Sequence, residues 1–368
     1  MSDSPLLFAN LGAEEGDGWR RMAAHPRVRA AAWLWAALFP ADAPRADGLA
    51  ARAELASALE RDAQRAALET CESPGLVPWL STPEAEAAAR HARVPLAAAP
   101  PGVVAAVHDK AFALEVARAA GLLPAEIGET AFALGPEELG AADTVRCRIE
   151  AEVERWPAEL REEFVLKPRL GTSGRGRLTG RDGRLDPESL RGNLPRFRER
   201  AGCVVEPWLE RTADLSAQLW INGPGDQRVL GTLGQVLTPA GVPLGHCGVI
   251  RADGSIHSGS PWDAELRAAA AVLARAAAAR GYTGPCGLDA FTYRAADGRE
   301  RLRAVVEWNA RFTAGTSALG LLARARRAGW LDGAGAFALG VARPDFAARR
   351  LELFPADPEL ALWLAARP

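Results

Sequence analysis

Along the 368-residue chain, apolar and polar positions follow two periods. Residues 6–11 (Leu-Leu-Phe-Ala-Asn-Leu) form a short apolar run closed by Gly12, which predicts a buried strand. From 19 to about 70 the chain is rich in Ala, Arg and Leu at helical spacing, broken at Pro40 and Pro44. Its most apolar stretch, Ala30 to Phe39, carries Trp33 and Trp35 and predicts a buried helix. Residues 97–103 (Ala-Ala-Ala-Pro-Pro-Gly-Val) have the composition of a linker and suggest a domain boundary. Asp109 is placed to cap a helix from Lys110 to about Ala120, ended by Gly121 and Pro124. A helix over 146–162 is followed by a strand at 163–168, a Gly-rich turn at 171–176 and a returning strand at 177–180. A helix near 187–200 then leads to a strand at 203–206. Beyond 213 the period is mostly two, predicting strands at 215–222, 228–237 and 245–251. A helix over Asp263 to Arg280 follows. Strands at 286–294 and 301–309 are joined by Ala295-Ala296-Asp297-Gly298, a hairpin signal. Helix is expected over 316–328 and through the variable tail to Pro368.

Composition narrows the function classes. Hydrophobic residues make up 48% and charged residues 24% of the chain, a globular balance that excludes intrinsic disorder. The formal net charge is −2, and the many arginines are balanced by 46 acids with no basic block, which argues against a nucleic-acid partner. No apolar run is long enough to span a bilayer and no basic segment precedes an apolar one near the start, so neither a membrane role nor a targeting segment is expected, and the expected location is the cytoplasm. The five cysteines are scattered without a C-x-x-C pair, which predicts reduced, mostly buried thiols. The five histidines are unclustered, so no zinc site is expected.

One bias carries more information. Of 44 basic side chains only two, Lys110 and Lys167, are lysines. Arg replaces Lys wherever a generic surface cation suffices, but not where a compact ammonium must sit among phosphates. Both lysines are therefore singled out before any motif is considered, although two survivors of compositional drift would look the same.

Three constellations follow. Asp289 lies on one strand of the expected hairpin, and Glu307 and Asn309, two apart, share a face of the other. A three-residue loop around Asp297-Gly298 is expected to set 289 opposite 307. Facing carboxylates repel, and two carboxylates with an amide oxygen suit Mg²⁺ completed by phosphate oxygens. A solvent-facing polar strand has the same pattern, but Leu288, Val305 and Val306 tie these strand ends to a core. The second is Lys167-Pro168-Arg169-Leu170-Gly171-Thr172-Ser173-Gly174-Arg175-Gly176. Its glycines leave N–H groups free to approach a phosphate; it is neither a Walker loop nor a dinucleotide fingerprint, and an Arg/Gly surface turn fits it equally well. The third is Val204-Val205-Glu206-Pro207-Trp208-Leu209, a strand end that either offers backbone groups and apolar cover to an adenine or is an ordinary strand end. Asp214 either accepts a ribose hydroxyl or is a plain loop acid.

In this order and spacing, over roughly residues 105–320, the motifs resemble the ATP-grasp superfamily of carboxylate–amine ligases. The resemblance rests on Asp109-Lys110, Val165-Leu166-Lys167-Pro168 with the Gly-rich loop, Glu206 to Leu209, Gly287-Leu288-Asp289-Ala290-Phe291 and Glu307-Trp308-Asn309-Ala310-Arg311. It implies an α/β (α+β) fold: a pre-ATP-grasp substrate domain at 1–103, a central subdomain with a Gly-rich flap at 104–203, and a C-terminal subdomain with the metal site at 204–368. It implies ATP and two Mg²⁺ ions, with Mn²⁺ as an alternative. Lys110 and Lys167 would contact the α- and β-phosphates. The loop with Gly171, Thr172, Ser173 and Gly174 would close over the β- and γ-phosphates. Glu206, Trp208 and Leu209 would hold adenine, Asp214 the ribose, and Asp289, Glu307 and Asn309 the metal. Arg311, with Lys167, would neutralise the transferring phosphoryl group. The implied activity is C–N ligation of a small carboxylate, such as an amino acid or peptide, to an amine through an acyl phosphate, with ADP and phosphate released. A catalytically silent ATP-binding scaffold is the alternative. Homodimers are common in the superfamily, so a homodimer is an expectation by analogy. One departure stands out: members similar to D-alanine–D-alanine ligase carry an Arg two residues before the first metal carboxylate, where this chain has Gly287. Arg251 or Arg311 would have to supply that charge, or the chain is not of that branch.

Overall fold

The computed structural model describes residues 4–23, 25–46, 56–60, 68, 74–171, 176–238, 243–341, 349–355 and 362–367. Three sheets organise them. The first pairs β1 (Leu6–Phe8) with β2 (Leu76–Pro78) in parallel. Parallel partners need a crossover, and the chain between them carries the helix Pro26–Ala36 with fully buried Trp35. The apolar run Leu6 to Leu11 thus supplies a strand of only three residues.

The second sheet holds β3 (Phe132–Leu134), β4 (Glu163–Pro168), β5 (Leu178–Arg181) and β6 (Cys203–Pro207), antiparallel in the order β3-β6-β4-β5. Helices Ala142–Val153 and Pro187–Glu199 cover it. Ile149, Phe164, Leu166, Leu190 and Phe197 form a core with no solvent exposure. The expected helix over 146–162 divides into Ala142–Val153 and Ala158–Arg161; Pro157 stands between them and cannot donate the N–H a continuing helix needs.

The third sheet is wholly antiparallel. Its strands are β7 (Arg211–Gly223), β8 (Asp226–Leu237), β9 (Pro243–Ile250), β10 (Ile256–His257), β11 (Gly284–Arg294), β12 (Glu300–Asn309), β13 (Gly335–Gly340), β14 (Arg349–Glu352) and β15 (Trp363–Arg367). The order is β12-β11-β7-β8-β9-β13-β15-β14, with β10 on β9. The helix Asp263–Ala279 lays Leu266, Ala270 and Leu273 on it. The helix Lys110–Ala119 adds Phe112, Ala113 and Ala117 to the same core. Each fully buried Leu or Phe contributes roughly 1.5–3 kcal/mol.

Three expectations are corrected. The tail is strand, not helix, where it is described: Gly335-Ala-Phe-Ala-Leu-Gly buries alternate side chains, Phe337 and Leu339, and alanine enrichment masked that period of two. The Pro-rich 97–103 segment runs directly into a helix, Pro101–His108, because Pro101 sits at its first turn, where no N–H is required. In the hairpin, the loop closes with the Ala295 N–H on the Arg299 carbonyl at 2.9 Å, and Gly298 takes φ 76°. Continuing the Arg294↔Glu300 and Phe291↔Arg303 register would set Asp289 opposite Val305. A bulge in which Ala290 alone opposes 304–306 shifts the pairing by two residues, and Asp289 faces Glu307. The expected pairing is present, produced by the bulge rather than by the loop.

Candidate active site

The site gathers where the middle of β11 and the end of β12 meet the start of the helix Lys110–Ala119. The Asp109 carboxylate caps that helix, accepting the Ala111 N–H at 2.8 Å. It also holds Arg169 at 2.6–3.0 Å. The cap fixes Lys110 at the first turn. The Lys110 Nζ lies 2.9 Å from Glu307 Oε1 and donates to the Gly171 carbonyl at 3.1 Å. The first lysine is thereby tied to both the carboxylate strand and the mouth of the Gly-rich loop. Gly171 is described; Thr172, Ser173 and Gly174 lie outside the described residues.

Asp289, Glu307 and Asn309 are brought together. Asp289 Oδ2 accepts the Asn309 Nδ2–H at 2.9 Å, and its Oδ1 accepts the Gln235 Nε2–H at 2.7 Å. Burial first, and the facing Glu307 second, push the Asp289 carboxyl up to about 6. Among the described residues no three His, Cys, Asp or Glu side chains assemble into a metal cluster. The set is two carboxylates and an amide, all hard oxygen donors. Such a set fits Mg²⁺ when phosphate or water oxygens complete the octahedron, and a divalent cation would relieve the repulsion that raises Asp289.

Arg311 extends this chain of contacts. Its Nη2 donates to Asn309 Oδ1 at 3.0 Å and its Nη1 to the Phe312 carbonyl at 2.9 Å. Its Nε pairs with buried Glu14, whose backbone carbonyl accepts from Arg200. Glu14 comes from a 3₁₀ turn, Ala13–Gly18, in a segment where no motif was found. Of the two arginines considered for the missing charge, Arg311 is at the trio, while Arg251 is exposed in the turn after β9. At Gly287 itself a Cβ would stand 3.0 Å from both Gln218 Oε1 and Thr313 Cγ2. A long side chain there would displace that packing.

Lys167 lies on β4 and reaches a second cluster. Its Nζ pairs with Glu206, whose other oxygen takes the Arg303 Nη2–H at 2.5 Å. All three line a cleft with Lys110, Leu114, Val204, Val305 and Val306. Burial lowers the Lys167 ammonium to about 8, with Glu206 opposing the shift and Arg303 adding to it. Burial alone would raise Glu206, but Arg303 and then Lys167 hold its carboxyl well below the ordinary range. The Glu206 carboxylate is thus occupied by two cations. Arg303 was missed; its signal is a single charge before the apolar run Ala304-Val305-Val306. Trp208 lies beneath two guanidiniums, Arg177 at 5.0 Å and Arg211 at 5.6 Å. Leu209 is buried with Leu114, Val204 and Phe291. Asp214, on β7 beside Gln235 of β8, pairs with Arg211 at 2.9 Å.

His108 is buried and accepts the Ala310 N–H at 3.1 Å. Burial, followed by the nearby Arg311 charge, lowers its imidazole to about 3. His246 is also buried, on β9. Cys203 and Cys286 are buried and Cys147 is exposed, all as free thiols; Cys71 lies outside the described residues. Among the described residues no helix is long and apolar enough to cross a membrane.

By sequence the chain matches no protein-family model and no curated protein. By structure it is similar to the biotin carboxylase domain of 2-oxoglutarate carboxylase from Hydrogenobacter thermophilus, solved with MgADP, ADP and bicarbonate. The two share 16% identity over 80% of this chain and 70% of that one, with a TM-score of 0.50. Biotin carboxylase from Campylobacter jejuni follows at 13% identity over 81% and 72%, TM-score 0.49. N5-carboxyaminoimidazole synthase from Aspergillus clavatus, in complex with ADP and its aminoimidazole ribonucleotide, covers 94% of this chain and 84% of its own, at 12% identity and a TM-score of 0.47. At 16% identity what the chain shares with the Hydrogenobacter thermophilus domain is architecture: the chain has the α+β ATP-grasp fold.

Proposed function

We propose that this chain is an ATP-dependent carboxylate–amine ligase. The observation that carries the reading is a pair of contacts on facing strands, Lys110–Glu307 at 2.9 Å on one side and Asp289–Asn309 at 2.9 Å continuing to Arg311 at 3.0 Å on the other, with Asp289 and Glu307 register partners. It sets cations on either side of an all-oxygen metal set. Phosphoryl transfer needs this positioning and charge more than it needs covalent help from the protein.

In this reading Lys110 and Lys167 hold the α- and β-phosphates, and the loop from Gly171 covers the β- and γ-phosphates. With its carboxylate held by Lys167 and Arg303, Glu206 supports the adenine site by fixing the 206–209 backbone, while Trp208 and Leu209 give apolar cover and Asp214 takes the ribose. Asp289, Glu307 and Asn309 hold Mg²⁺, which supplies charge neutralisation on the phosphates. Arg311 faces the transferring group. A substrate carboxylate oxygen bonds to the γ-phosphorus as the bond to the bridging oxygen breaks, and that electron pair leaves with ADP. An amine nitrogen then bonds to the acyl carbon, the carbon–oxygen bond to phosphate breaks, and the amine proton passes to solvent. Splitting the reaction in this way turns a poor electrophile into a reactive one.

The test is ADP release with hydroxylamine as a generic amine and a panel of carboxylic acids, with hydroxamate measured in parallel. Hydroxamate formed in step with ADP, and lost in Glu307→Ala, is the expected result. A chain that binds Mg²⁺ and an ATP analogue but turns over no acid would refute the ligase reading in favour of a silent ATP-binding scaffold. ADP release that yields a phosphorylated product and no hydroxamate would refute C–N ligation.

A further inference from the structure

Beside Arg311 lies a second cavity, open at its mouth, whose lining includes Trp79, Trp220 and Phe312. It forms where three segments meet. Trp79 follows β2, Trp220 lies on β7 opposite Pro285 of β11, and Phe312 follows Arg311. The Trp79 and Phe312 rings stack at 6.5 Å, the Trp220 ring meets Phe312 edge-on at 6.0 Å, and the Phe312 N–H donates to the Trp79 carbonyl at 3.2 Å. Of the hydroxyls in its lining, Ser81 donates to the Ala99 carbonyl at 2.7 Å and Tyr282 to the Pro285 carbonyl, while Thr283 is exposed. The charged residue of the lining is Arg311, which also touches Asn309 of the metal set.

Resting on the ligase reading above, we propose that this cavity selects the carboxylate substrate, and that the substrate is a small acid carrying one aromatic-sized apolar group. The group lies among Trp79, Trp220 and Phe312, and the carboxylate is directed to Arg311 and thus toward the metal set. Two physical points support this. Aromatic walls reward a flat apolar body. A lining whose one charged group is a guanidinium offers a cationic body little in exchange for its hydration, while Arg311, bonded to Glu14, Asn309 and the Phe312 carbonyl, gives an anion a positive group to approach.

The experiment titrates 3-phenylpropionate, acetate and phenethylamine into the full chain by calorimetry, with Mg²⁺ and a β,γ-imido ATP analogue present, and runs the same acids in the hydroxylamine assay. 3-Phenylpropionate is expected to bind at least tenfold more tightly than acetate, from the burial of one ring, and more tightly than phenethylamine. Thr283, exposed at the rim, is replaced in Thr283→Trp. This variant, with melting temperature and circular dichroism as fold controls, is expected to lose that preference by about tenfold. Trp220→Leu, which widens the cavity, is expected to shift the preference toward larger ring systems. Acetate binding as tightly as 3-phenylpropionate, phenethylamine binding as tightly as the acid, or Thr283→Trp leaving the preference intact overturns the assignment. Acetate turned over with no inhibition by 3-phenylpropionate overturns it while leaving the ligase reading in place. Binding of 3-phenylpropionate with no ADP release from any acid overturns the ligase reading and leaves the pocket assignment in place.

Discussion

The Lys167 ammonium gives the sharpest test of the nucleotide site, because one protonation event should move two observables in opposite directions. In the folded chain burial lowers it from 10.5 to about 8. If the ammonium holds a phosphate, binding draws on the protonated fraction of the free protein. That fraction falls from about nine-tenths at pH 7 to about one-tenth at pH 9, so analogue affinity should weaken roughly ninefold. Folding stability should move the other way. Between pH 8 and 10.5 the unfolded chain holds the Lys167 proton while the folded chain has released it, so stability rises with pH. For this group the gain from pH 8 to 9.5 is about 1.5 kcal/mol. The assay is calorimetric titration with a Mg²⁺–ATP analogue at pH 7, 8 and 9, alongside urea unfolding at pH 8 and 9.5. Lys167→Arg, which stays charged across this range, should give a flat affinity profile and lose the alkaline gain in stability. Affinity that stays level to pH 9 in the wild type, or falls equally in Lys167→Arg, would refute the reasoning.

Further outcomes follow from the same geometry. Glu206→Gln leaves Lys167 and Arg303 facing each other without their shared carboxylate, and should cost about 3–5 kcal/mol in urea unfolding; a loss under 1 kcal/mol would mean the two cations find solvent or other partners. Thr313 caps the helix Ala314–Arg327, accepting the Thr316 N–H at 3.0 Å while donating to Gln218 Oε1 at 2.5 Å. Thr313→Ala should cost about 1–2 kcal/mol, with Thr313→Ser retaining most of the stability. Burial lowers His246 from 6.5 to about 4, so below pH 6.5 the unfolded chain takes up a proton that the folded chain refuses. The wild type should lose about 2 kcal/mol through this group between pH 7.5 and 5, and His246→Gln should lose correspondingly less over the same interval, as read by urea midpoints.

Most of what positions the proposed nucleotide site is legible because its signals are local. Asp109 before an apolar-periodic run predicts a cap, and the cap is made. Residues 163–168 and 203–207 show their strands in the apolar runs that end at Lys167 and Glu206. The pairing of Asp289 with Glu307 was reached by counting through a loop, but the chain gets there through a bulge. A count of residues cannot see a bulge, which adds residues to one strand without a partner on the other. The tail failed for a related reason: in a chain this rich in alanine, small apolar residues fit a helix or a strand equally well, and the choice falls to sheet partners supplied by β9.

The contact between Glu14 and Arg311 shows what no local pattern could carry. The two residues are far apart in sequence, and neither belongs to a periodic run that would announce it. The 3₁₀ turn Ala13–Gly18, five residues after β1, holds Glu14 against Arg311, which lies two residues past the end of β12. The consequence is chemical. Without Glu14, Arg311 would present an uncompensated charge in a buried setting beside His108, already lowered to about 3 with Arg311 as its second cause. With Glu14 in place, the guanidinium is balanced on its Nε side while Nη2 faces Asn309. The N-terminal segment therefore sets both the charge and the aim of the arginine that faces the metal set. In this chain the region with no motif of its own supplies the counter-charge at the candidate site.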